Sequence, residues 1–144
     1  MPFFADQSRS DLRGMYLEAW RKHRAGLPME PLEAQIAHVI TEHPEYHRLL
    51  DDPDTAIARD FTPESGQSNP FLHMAMHLAV RDQIATDRPA GIRATFAQLL
   101  KRRDKLDAEH AVAVHLADMI WQSQRSGLPP DEMVYLRRVQ KLLR

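Results

Sequence analysis

Apolar side chains recur along the chain every three to four positions, and no stretch rich in β-branched residues alternates with a period of two. This spacing predicts helices at about 8–25, 31–43, 70–86, 90–104, 108–125 and 130–143, with ends good to about 2–4 residues, and short helical turns within 44–60. Gly26 and Gly127 stand where a helix ends in a left-handed residue. Each is followed two positions later by a proline, Pro28 or Pro129, which blocks continuation. Asn69 and Pro70 read as N-cap and first helical residue, and Asp107 as a second cap. Residues 59–70, RDFTPESGQSNP, carry the punctuation of a loop. At 144 residues and 43% hydrophobic content, one core is the expectation. The fold class is therefore all-α, a compact single-domain helical bundle of about six helices spanning 1–144, with 70–86 at its centre.

The two ends of the chain echo one another. AWRKHRAGLP, Ala19 to Pro28, resembles IWQSQRSGLP, Ile120 to Pro129, and aligns Trp20 with Trp121. Each segment is followed by a renewed helical pattern: Leu32, Ile36 and Val39 in one, Met133, Leu136 and Val139 in the other. Two similar helical hairpins are expected, arising from duplication or from the shared chemistry of a glycine-then-proline corner.

The candidate chemistry lies in the eight histidines, sorted by helical face at about 100° per residue. His43 falls within the stripe of Leu32, Ile36, Val39 and Ile40, whereas His38 lies outside it beside Glu42. In FLHMAMHLAV, Phe71 to Val80, only His73 and His77 are polar, and apolar residues cover the whole circumference, as in a helix packed on all sides. Four-residue spacing puts both imidazoles on one face, where each could give one nitrogen to a single ion, and Arg81 continues their stripe. On the fifth helix, Val114, Ala117 and Trp121 surround the direction of His110, which is read as inward, while His115 lies on the more polar arc. His23 sits in an apolar stripe close to a helix C-terminus, where an imidazolium suits the dipole. His47 follows Pro44, which should end the helix at His43, so a short turn is needed to bring His43 and His47 to one place.

Composition narrows the chemistry. Lysine and arginine total 19 against 20 aspartates and glutamates, so a formal charge of -1 offers no broad field to nucleic acid or an anionic membrane. With no cysteine, disulfides, thiolate metal sites and a cysteine nucleophile are excluded, and a metal would have to be held by histidine and carboxylate. This composition suits a reduced, cytoplasmic setting. The N-terminus lacks the basic start and apolar stretch of a signal peptide, and the apolar run Phe71 to Val80 is too short to span a bilayer. No phosphate-binding glycine loop, nucleophile elbow or zinc-protease motif is present. The basic runs KRRDK, from Lys101, and LRRVQKLLR, from Leu136, lie at helix C-termini, where they complement the dipole.

At EAWRKHRAG, EHPEYH and NPFLHMAMHLAVRDQ the chain resembles a bacterial family known as domain of unknown function 1841, nearly end to end. The resemblance implies a single-domain bacterial protein, brings no established activity, and places His43, His47, His73 and His77 in its signature segments. A looser likeness is to hemerythrin-like bundles, whose paired histidine motifs His38 with Glu42 and His73 with His77 imitate. His115 stands where that pattern expects an aspartate, and the single-metal, three-histidine site of DinB-like bundles fits these residues better.

The sharp expectation is one transition-metal ion held by His73 and His77 with His43, His47 or His110, assisted by Glu42, Glu45 or Glu109. Imidazole and carboxylate ligands leave zinc, iron and nickel open as the metal. An open coordination position would permit metal-activated water or redox chemistry, so enzyme activity is open too. The alternative is a non-enzymatic helical interaction module, binding a protein partner or a second copy, whose histidines form a structural hydrogen-bond network.

Overall fold

A computed structural model describes residues 2–61 and 69–144, with side chains from Arg9 onward. Every regular element among the described residues is helical. The helices are α1 (Pro2–Ala25), α2 (Pro31–Thr41), α3 (His47–Leu50), α4 (Pro53–Ala58), α5 (Pro70–Thr86), α6 (Ile92–Leu99), α7 (Lys105–Ser126) and α8 (Glu132–Lys141), with a 3₁₀ turn at Pro44–Tyr46. The expected six become eight because the turns foreseen within 44–60 include α3 and α4. Residues 62–68 of the expected loop lie outside the described residues, while 59–61 are non-helical as expected.

The chain divides into two compact units, residues 1–74 and 75–144, with α5 running unbroken through the division. In the first unit α1 pairs with α2, and α3 and α4 pack on α1. Tyr16, Trp20, Ile36, Val39, Ile40, Leu50, Phe71 and Met74 are buried there. Buried Arg13 fastens α4 to α1, its Nη1 donating to the carbonyls of Ala56, Ile57 and Arg59 at 3.1, 3.1 and 2.7 Å. These are groups that a helix end leaves unsatisfied. The same guanidinium lies over the rings of Phe61 and Phe71, at 5.5 and 4.9 Å from their centroids. In the second unit Val80, Ile92, Phe96, Leu99, Val112, Leu116, Tyr135 and Val139 form one apolar cluster.

Both predicted corners are present. Gly26 (φ 67°) ends α1, with the Leu27 N–H donating to the Lys22 carbonyl at 2.9 Å, and Gly127 (φ 74°) ends α7, its N–H donating to Ser123. A Cβ at either glycine would meet nothing within 4 Å, so the backbone angle alone calls for glycine. Asn69 caps α5 as expected, its Oδ1 accepting from the Phe71 N–H at 2.9 Å. The cap of α7 differs. Asp104 accepts from the Asp107 N–H at 2.9 Å, so the cap lies three residues before the Asp107 read from sequence, and the helix starts at Lys105.

The two hairpins do not place their tryptophans alike. Trp20 is 4% exposed and Trp121 51%. Trp20 donates its Nε1–H to Asp51 at 2.8 Å and packs on the His47 ring at 4.4 Å between centroids. Trp121 has the Arg125 guanidinium over its face at 5.1 Å.

Candidate metal centre

The C-terminus of α2 shows why histidines gather here. His43 follows the last turn, with φ −124° and ψ 68°, because the next residue is proline. A proline has no N–H to continue the ladder. The imidazoles supply the missing donors: Nδ1 of His43 donates to the Val39 carbonyl and Nε2 of His47 to the Ile40 carbonyl, both at 2.7 Å. A carbonyl only accepts, so these bonds put the His43 proton on Nδ1 and that of His47 on Nε2. His43 therefore presents the lone pair of Nε2, the nitrogen a metal requires. The bond made by His47 is spent on capping α2, beside Trp20.

His43, 3% exposed, meets α5 at His73, with ring centroids 5.2 Å apart and planes nearly perpendicular. Tyr46 completes the group, stacked on His43 at 5.6 Å and edge-on to His73 at 6.0 Å. Burial, then the charge of Glu45, raises the phenol above its ordinary pKa and keeps it protonated. The sequence reading passed over Tyr46. Its signal was its place three residues after His43, a spacing that becomes a contact only because a 3₁₀ turn intervenes.

His77 follows His73 by one turn of the same helix, so the relation between these two is fixed by α5 itself. His43 and His73 therefore meet within the first unit, and His77 stands one turn beyond His73 on α5. His77 is 2% exposed, as expected of an inward residue, but His73 is only half-buried. The expectation of a helix packed on all sides also needs correction, because Leu72 is 61% exposed beside it. A ten-residue apolar run shows that a helix is mostly covered, not that it lacks an outer edge.

In the second unit Nδ1 of His77 donates to Oε1 of Glu109 at 2.8 Å. Arg81, one turn further along α5, binds the same carboxylate twice, through Nε to Oε2 at 2.8 Å and Nη2 to Oε1 at 3.0 Å. Glu109 is 1% exposed. Burial alone would raise its pKa, but the hydrogen bonds from His77 and Arg81 and their charges outweigh it and hold the carboxyl below its ordinary value.

The inward reading of His110 is corrected. His110 is exposed, as are Val114 (66%), Ala117 and Trp121, and α7 packs instead through Ala108, Glu109, Val112 and Leu116. Residues 111–117 are apolar on nearly every side except at His115, so periodicity fitted either face. The ion-paired Glu109 lies on the buried one. The His110 ring nevertheless stands 4.9 Å from that of His77. Of the other carboxylates considered, Glu42 lies 3.6 Å from exposed His38, and Glu45 is exposed.

A sequence profile of the family described as a domain of unknown function (DUF1841) matches residues 8–141. The chain belongs to that family. No curated protein and no solved structure matches the chain. No helix among the described residues is long and apolar enough to cross a membrane.

Proposed function

We propose that this DUF1841 protein binds one transition-metal ion through His43, His73 and His77. The observation that carries the reading is the contact of the buried His43 ring with His73, whose helix α5 sets His77 one turn further on. A bound zinc would stand about 2.0–2.1 Å from each imidazole nitrogen. An all-imidazole set suits zinc, iron and nickel better than magnesium or calcium, which prefer oxygen. Three protein ligands leave a position for water or substrate, the arrangement of catalytic rather than closed structural sites.

Calorimetric titration of untagged, chelator-treated protein with zinc tests the reading. One ion per chain is expected, and the His73→Ala, His77→Ala double variant should show no measurable binding. Equal binding by both proteins, or by neither, would overturn it. The interaction-module reading would then take its place, supported by an apolar cleft in the first unit. That cleft, about 710 Å³, is floored by Leu17, Trp20, Leu50 and Ile57 and edged by the Arg24–Asp51 ion pair.

A further inference from the structure

The ion pair behind His77 is hard to explain as a device for stability. Withdrawing a carboxylate from water costs several kcal/mol, and well-packed apolar residues often serve a core as well or better. Glu109 is nonetheless almost wholly buried, and Arg81 alone satisfies both of its oxygens. The third partner, His77, is turned so that Nδ1–H faces Oε1. That bond fixes one tautomer and leaves the lone pair on Nε2, across the ring from the carboxylate.

We propose that Glu109 is a positioning residue for the metal site: an outer carboxylate that holds His77 in its ligating tautomer and orientation. Arg81 holds Glu109 in turn. The inference rests on the three-histidine reading and adds the residues that set its affinity. A ligating imidazole commonly donates its second nitrogen to a carboxylate or a carbonyl. Both buried rings of the set do so here, His77 to Glu109 and His43 to the Val39 carbonyl. The carboxylate adds a negative charge close to the incoming cation, and Arg81 stabilises the ionised form of that carboxylate in the core.

The roles of the two charged partners separate in an experiment. Glu109→Gln keeps a hydrogen-bond acceptor but removes the charge, while Arg81→Gln keeps the carboxylate and a donor to it. Zinc affinity is measured by competition with a chromophoric chelator, on variants shown by thermal melting to be folded, with His77→Ala as the reference for a lost ligand. Glu109→Gln is expected to bind zinc about 10–100-fold more weakly, and Arg81→Gln to lose clearly less, because the carboxylate itself remains. A purely structural ion pair would instead make the two variants alike, since each breaks the same pair. If Glu109→Gln does not fold, Arg81→Leu with Glu109→Gln removes both charges together, and the same weakening is expected of it. Unchanged affinity in the Glu109 variants, with binding lost in His77→Ala, would overturn the positioning role and leave the metal site standing. A wild type that binds no zinc would overturn both.

Discussion

Replacing Trp20 by alanine is expected to destabilise the first unit by about 3–5 kcal/mol, the usual cost of truncating a large buried aromatic. The indole is buried and bonded through Nε1–H to Asp51, which also accepts from Arg24 at 2.9 Å. Its face packs on His47, the residue that caps α2. Truncation therefore opens a cavity, removes a donor from Asp51 and loosens the ring that closes the end of a helix. Its sequence counterpart should behave oppositely. Trp121→Ala exposes little that is not already exposed, and its effect should stay within about 0.5 kcal/mol, as for ordinary surface changes. Thermal melts of the two variants check the contrast, and equal losses would show that the hairpins are equivalent in packing as well as in sequence.

The second large effect is expected at Arg13. One nitrogen of its guanidinium serves three carbonyls at the end of α4, and its cationic plane is covered by Phe61 and Phe71. Arg13→Ala leaves those carbonyls to find water in a region the chain covers, at about 1–3 kcal/mol for each buried group left unpaired. It also removes the packed stem. A loss of about 3 kcal/mol is expected after partial rehydration. Arg13→Met, which restores apolar volume but no donor, should recover only the packing share. Urea denaturation of the three proteins measures both parts. Full recovery by methionine would mean that the hydrogen bonds contribute nothing net.

The helices were legible because their signals are local. Glycine-then-proline corners at Gly26 and Gly127 and the Asn69–Pro70 start act within a few residues, and the structure places each as read. Part of the candidate site was legible for the same reason: His73 and His77 share a helix, and one turn of geometry joins them whatever the rest of the chain does. His43 is buried as its stripe predicts, and its bond to Val39 accompanies the proline after it. What the sequence did not reveal depends on partners distant along the chain. Nothing near Glu109 shows that it will be buried, because the residues that make burial tolerable, His77 and Arg81, lie 32 and 28 positions away. Choosing the apolar stripe of Val114 and Trp121 over the face containing a glutamate was the natural inference from hydrophobicity, and tertiary ion pairing overrode it.

The unequal settings of the two indoles also make the chain its own optical probe. Trp20 and Trp121 are its only tryptophans, one in each compact unit, so their emission reports on different parts of the molecule. A collisional quencher such as acrylamide should reach Trp121 readily and Trp20 hardly at all in the folded protein. Trp121→Phe should abolish most of the quenching while leaving a blue-shifted signal from Trp20. The residual signal then follows unfolding of residues 1–74 alone, with the second unit dark. Comparison with the Trp20→Phe variant, which reports only on residues 75–144, would show whether the two units lose their structure at the same denaturant concentration.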